Sequence, residues 1–101
     1  MVQIAWAEPA LADLNEAYDY IARDSPRYAQ LTIERITEAA ARLARFPHLG
    51  EVLREFPERL YRQIVVGNYR LIYREDPEHD RVLVMGVVHA RRELPGDLEN
   101  R

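Results

Sequence analysis

The chain has fourteen arginines, three histidines, no lysine and no cysteine, so any chemistry it performs must come from guanidinium, imidazole, carboxylate and phenol groups. Guanidinium forks match carboxylates and phosphates, but they do not give up a proton near neutral pH. Such groups concentrate in two stretches: Arg62, Arg70, Tyr73 and Arg74, and then the run Val88-His89-Ala90-Arg91-Arg92. His89 is the acid–base candidate of the second stretch, and a hydrogen-bonded structural histidine is the equally simple alternative. Neither stretch is a stand-alone catalytic motif. His48 and His79 fall in turns without ligand-like spacing, which leaves no metal site, and Ser25 reads as a helix cap rather than a nucleophile. A Gly-rich phosphate loop, a Ser/His/Asp grouping and paired carboxylates with a matching base are all missing, and no cofactor is expected.

The elements that position these groups follow from periodicity. Val2, Ile4 and Trp6 alternate with Gln3 and Ala5, predicting a short half-buried strand. Glu8-Pro9 suits the first turn of a helix, and Leu11, Leu14, Tyr18 and Ile21 continue it at spacings of 3, 4 and 3. Asp24-Ser25-Pro26 ends that helix and caps a second one, whose stripe is Ala29, Ile33, Ile36, Ala40 and Leu43. Residues 46–58 carry Gly50, Pro47 and Pro57 without a period and read as an ordered loop. Residues 60–66 and 69–74 then form a hairpin around Gly67-Asn68, a pair able to take positive φ. Residues 82–88 are apolar on both faces, as in an inner strand, and Gly86 marks a bulge there. The expected architecture is an α+β βααβββ domain, with an antiparallel two-helix hairpin packed on one face of a small antiparallel sheet.

A two-residue loop sets the hairpin register, pairing Val66 with Tyr69, Val65 with Arg70, Ile64 with Leu71, Gln63 with Ile72 and Arg62 with Tyr73. One face then holds Val66, Tyr69, Ile64, Leu71, Tyr73 and Arg62, and it faces the helices. Arg62 there is expected to be held by a carboxylate, such as one from the first helix. The other face holds Val65, Arg70, Gln63, Ile72, Tyr61 and Arg74. Left uncovered, it offers Arg70 and Arg74 to phosphates or to a partner's acids, and leaves Tyr61 and Ile72 wet until that partner arrives.

At 101 residues the chain makes one domain, taken as 1–92 with a frayed polar tail at 93–101. No apolar run approaches the roughly 18 residues of a membrane span, and the first residues lack a secretory signal, so the expected location is the cytoplasm. The formal net charge of −3 argues against indiscriminate nucleic-acid binding. It conceals an asymmetry, with six arginines against ten acids in residues 1–58 and seven against four in residues 59–92. Two faces with different partners, or two halves that neutralise one another, would each account for it.

Taken in order, several of these segments resemble the RelE/ParE superfamily of toxins, and within it the ParE or plasmid-stabilisation branch. The segments are Ala10-Leu11-Ala12-Asp13-Leu14, Tyr18-Asp19-Tyr20-Ile21-Ala22, Asp24-Ser25-Pro26, Phe46-Pro47-His48-Leu49-Gly50, Arg62, the stretch from Val66 to Tyr73, and Val88-His89-Ala90-Arg91-Arg92-Glu93. The resemblance covers nearly the whole chain, and its fold, a helical hairpin on an antiparallel sheet, agrees with the periodicity.

The resemblance implies a growth-inhibiting toxin neutralised by a cognate antitoxin of ParD or similar type in a hetero-oligomeric complex. Tyr61, Arg62, Arg70, Ile72, Arg74, His89, Arg91 and Arg92 are the expected binding residues for antitoxin or target. ParE-like members are described as poisons of DNA gyrase that bind a protein target, and this branch is the preferred reading. RelE-like members instead cleave mRNA on the ribosome without a metal, which requires a titratable base as well as fixed positive charge. Lacking lysine, this chain departs from the lysine-dependent form of that pattern. Arg70, His89, Arg91 and Tyr73 are its substitute set. A third alternative is an antitoxin-binding module without activity.

Overall fold

The computed structural model describes residues 1–56 and 58–101; Pro57, in the expected loop, lies outside the described residues. The chain runs β1 (Gln3–Trp6), α1 (Glu8–Ala22), α2 (Pro26–Arg42), β2 (Glu51–Val52), β3 (Arg62–Val66), β4 (Tyr69–Asp76) and β5 (Arg81–His89). Short 3-10 turns follow β4 at Pro77–His79 and close the chain at Leu98–Asn100. Pro9 lies in the first turn of α1, and the Ser25 hydroxyl accepts a hydrogen bond from the Tyr28 N–H at 3.1 Å to cap α2, as the local sequence predicts.

The strands form one sheet in the order β1-β5-β4-β3-β2. The hairpin register is the one set by the Gly67-Asn68 turn, pair for pair from Arg62–Tyr73 to Val66–Tyr69. Of the two turn residues only Gly67 takes positive φ, at 60°, so the turn needs only one left-handed residue. Two features differ from expectation. β1 lies parallel to β5, making the sheet mixed; parallel neighbours need a crossover, and the helical hairpin lies within the connection between them. A two-residue strand, β2, also emerges from the expected loop and pairs with Gln63 and Arg62.

The helices cover one sheet face. Ala10, Ile36, Ala40 and Leu43 pack there on Leu71, Tyr73, Val82, Val84 and Val87. On α1 the buried positions are Ala10 and Ala17, while Leu11 and Tyr18 of the expected stripe are exposed. Small side chains at 10 and 17 let this helix lie close to the sheet, and that rotates the larger neighbours outward.

β5 carries the bulge expected near Gly86. Ile72 pairs with Gly86 and Tyr73 with Val84, so Met85 is the extra residue. Val82 and Val84 face the helices; beyond the bulge Val87 joins them, while Met85 and Val88 lie in a second core on the far side. The inserted residue therefore brings His89, rather than Val88, onto the helix side.

That second core overturns two expectations. Tyr61 and Ile72, expected to be accessible to a partner, are buried with Leu53, Met85, Val88 and Leu98. Their cover is the chain itself: Leu53 and Phe56 from the segment before β3, and Leu94 and Leu98 from the tail. The tail is accordingly packed rather than frayed. The Arg101 guanidinium bonds Asp13 at 2.8 Å and the Met85 carbonyl at 3.1 Å. Asp13 in turn accepts from the Val87 N–H at 3.0 Å, so α1, the bulge and the tail meet at one carboxylate.

Candidate binding site at the end of the sheet

The reactive residues separate onto different surfaces. Arg70 shares its face with Ile72 and Val88, whereas Tyr69, paired with His89, faces the helices. Arg70 and His89 therefore lie on opposite sides of the sheet. Tyr73 is also on the helix side and fully buried; its hydroxyl accepts from the Gly50 N–H at 2.8 Å and donates to the Pro47 carbonyl at 2.9 Å. Burial pushes its phenol above the ordinary value, which suits a structural donor and not an acid–base group. The substitute nuclease set of Arg70, His89, Arg91 and Tyr73 is thus not brought together.

The remaining arginines fall into two groups. Arg62 is half-buried as expected on its face, but it donates to the Gly50 carbonyl at 2.7 Å and to that of His48 at 3.4 Å, in place of the expected carboxylate. Arg70 donates to the Arg92 carbonyl at 2.8 Å and to Gln63 at 3.3 Å, and its Nε is buried without a partner. Its fork is engaged in holding the segment that follows β5 beside the hairpin. Arg74 donates to the Glu75 carbonyl at 3.3 Å and lies 3.9 Å from the Asp76 carboxylate. By contrast Arg91 and Arg92 are exposed, and their side chains form no ion pair among the described residues.

Near His89 a cleft opens between the turn joining α1 to α2 and the Gly67-Asn68 turn. It has a volume of about 290 Å³ and is lined by Tyr20, Tyr28, Tyr69, Arg35, Asp24 and His89, among others. The Tyr69 and His89 rings meet edge to face, with centroids 5.4 Å apart. His89 Nδ1 accepts from the Arg91 N–H at 3.3 Å, which leaves Nε2 as the ring's donor in the neutral form. Burial, followed by the neighbouring Tyr20, raises the Tyr69 phenol, while Arg92 works in the opposite direction. A second groove of about 750 Å³ adjoins the cleft between α1 and the segment from Arg91 to Pro95, sharing Tyr20, Tyr69 and His89.

Of the residues expected from sequence, His89 alone lines the cleft, and Arg91 and Arg92 join it in the groove. Tyr20, Tyr28, Arg35 and Tyr69 are site residues that the sequence motifs do not single out. The signal the sequence carries is that Tyr20 and Tyr28 lie off both apolar stripes, on either side of the turn between the helices. No group of three or more His, Cys, Asp or Glu stands within metal-binding reach among the described residues. Likewise none of the described helices is long and apolar enough to cross a membrane.

Comparisons with known proteins agree with this architecture. The chain is similar in structure to a protein of the chromosomal ParDE toxin-antitoxin system of P. aeruginosa, with a TM-score of 0.74 at 18% identity over 90% of this chain and 98% of that one. It is also similar to a chain of the RelBE2 toxin-antitoxin complex of Mycobacterium tuberculosis, with a TM-score of 0.63 at 28% identity over 87% and 96% of the two chains. The isolated RelE toxin of E. coli superimposes with a TM-score of 0.66 at 21% identity over 92% of this chain and 88% of that one. In sequence it is 42% identical over 52 residues to Toxin RelE2 of Caulobacter vibrioides, a match spanning 52% of this chain and 59% of that protein. Residues 4–94 match the family described as ParE toxin of type II toxin-antitoxin system, parDE, and by that match over most of its length the chain belongs to the ParE toxin family.

Proposed function

We propose that the chain is a toxin that arrests growth by binding DNA gyrase in the cytoplasm, and that a cognate antitoxin of ParD type neutralises it in a hetero-oligomeric complex. One observation carries this reading: Arg70 and His89 lie on opposite faces of the sheet. An RNA-cleaving centre needs a proton acceptor and a fixed cation within hydrogen-bond reach of one phosphate and its neighbouring hydroxyl. For the set Arg70, His89, Arg91 and Tyr73 that convergence fails: Arg70 is on the far face and bonded to the Arg92 carbonyl, and Tyr73 is sealed in the core. Inhibition by binding requires no such convergence. The antitoxin reading draws on the family match and on the toxin-antitoxin complexes among the structural relatives.

Two assays of the purified chain test the proposal together. Gyrase supercoiling should be inhibited in proportion to added protein, and mRNA on translating ribosomes should remain intact. The mRNA-endonuclease reading is favoured by the local identity to Toxin RelE2. Cuts in ribosome-bound mRNA that disappear in Arg70→Ala or His89→Ala would replace the gyrase proposal with that one. A chain that neither inhibits gyrase nor cuts mRNA, yet binds its antitoxin, would be a module without activity.

A further inference from the structure

The cleft at the end of the sheet has an imbalance in its polar groups. Several of its acceptors are already satisfied within the fold: Ser25 Oγ by the Tyr28 N–H, the Asn68 carbonyl by the Ala90 N–H, and His89 Nδ1 by the Arg91 N–H. Thr32 spends its hydroxyl proton on the Tyr28 carbonyl. The functions left over are mostly donors, namely the Arg35 guanidinium, His89 Nε2 and the phenols of Tyr20, Tyr28 and Tyr69. Against them stands one lining carboxylate, Asp24. Arg35 forms neither an ion pair nor a side-chain hydrogen bond among the described residues.

The aromatic walls are more open than packing needs. Tyr20 is 63% and Tyr28 49% exposed, although both are large apolar surfaces beside a formed core. Tyrosine, histidine and arginine around a pocket of one side chain's size form the composition that anchors a protein partner. The formal charge of −3 on the whole chain disfavours a nucleic acid as that partner.

We propose that this cleft is a recognition site for an acidic peptide segment, with a carboxylate seated on Arg35 and His89 and an adjacent bulky apolar side chain packed among Tyr20, Tyr28 and Tyr69. The occupant is a polypeptide, so the inference rests on the reading of the chain as a binding toxin and names the chemistry of what it binds. A carboxylate from an Asp or Glu side chain and one from a chain terminus would meet the same donors.

The test is direct titration of the ¹⁵N-labelled full chain, followed by the amide resonances of Tyr28, Tyr69 and His89. The probes are short capped peptides carrying Glu-Phe, Gln-Phe or Glu-Ala, an uncapped peptide ending in a free carboxylate, and an oligothymidylate. Glu-Phe should shift these resonances saturably and bind about tenfold more tightly than Gln-Phe, the scale of one charge-assisted hydrogen bond. The uncapped peptide distinguishes a terminal carboxylate from a side-chain one. Arg35→Gln should weaken Glu-Phe about tenfold and leave Gln-Phe unchanged, whereas Arg45→Gln, on a different surface, should alter neither. Equal binding of Glu-Phe and Gln-Phe, insensitivity to Arg35→Gln, or tighter binding of the oligothymidylate would overturn the proposal. None of these readouts uses gyrase, so the site can fail while the proposed activity stands, and the reverse.

Discussion

The hydroxyl of Tyr73 accepts the backbone N–H of Gly50 at 2.8 Å, tying the middle of the inner strand β4 to the segment that enters β2. An added Cβ at Gly50 would lie 2.5 Å from the Gln63 carbonyl oxygen and 2.9 Å from the Tyr73 ring, so the close approach requires glycine at this point. Tyr73→Phe should keep the fold and cost about 1–2 kcal/mol in urea unfolding, because a buried N–H loses its acceptor. Gly50→Ala should cost more, about 2–3 kcal/mol, because backbone rather than a flexible side chain must move. Equal stability of Tyr73→Phe and the parent chain would show that this bond is dispensable.

Asp13 is the meeting point of helix, bulge and tail. Asp13→Ala leaves the Val87 N–H without its acceptor and takes one of two carboxylates from the buried Arg101 guanidinium, which keeps Asp97 and the Met85 carbonyl, and should lower stability by about 2 kcal/mol. Leu98→Ala removes apolar volume from the second core and should cost about 2–4 kcal/mol. Since the two residues belong to one strap, their effects should fall short of additive in a double-mutant cycle. Simple additivity would show the tail to be held by two independent contacts.

Acid should loosen the β4–β5 turn through Asp76. Its carboxylate accepts from Arg81 Nε at 2.7 Å and from His79 Nδ1 at 2.9 Å, and these bonds hold its pKa below the usual 3.8 despite desolvation. The unfolded chain takes up this proton first as pH falls. Stability from Asp76 is therefore present above the ordinary carboxylate value, and is lost as pH drops through that value to the lowered native one. Melting temperature measured from pH 7 to 2 should decline in that window, and Asp76→Asn should flatten part of the decline. A parallel decline in both proteins would assign the acid sensitivity to other carboxylates.

Leu60 holds a left-handed backbone at φ 54° while two-thirds exposed, so strain there is not offset by burial. Leu60→Gly should stabilise the fold by up to about 1 kcal/mol, visible as a raised melting temperature. A lowered melting temperature would mean that the leucine side chain supplies packing its exposure conceals.

The local parts of this architecture were legible because they depend on neighbours in the chain. A two-residue turn sets the register of β3 on β4, and Ser25-Pro26 starts α2 whatever lies above it. The parallel seat of β1 and the second core escaped for the opposite reason. Leu53, Phe56, Leu94 and Leu98 are too sparse to show a period, and they come together only across the sheet. The site suffered most from this. The bond from Arg70 to the Arg92 carbonyl joins residues 22 apart through a backbone atom, which no side-chain pattern signals, and the leucines of α1 mark a helix without showing that its alanines make the close contact.

The single extra residue at Met85 divides β5 into two stretches that are half a repeat out of phase. Removing Met85 itself would only straighten the strand, but removing Val87, beyond the bulge, would invert the side chains downstream, sending His89 to the back of the sheet and Val88 in among the helices. Substitutions across residues 87–92 should consequently be borne far better than a one-codon insertion or deletion in the strand beyond the bulge. Reading frame length, more than residue identity, is what keeps the imidazole beside the tyrosines.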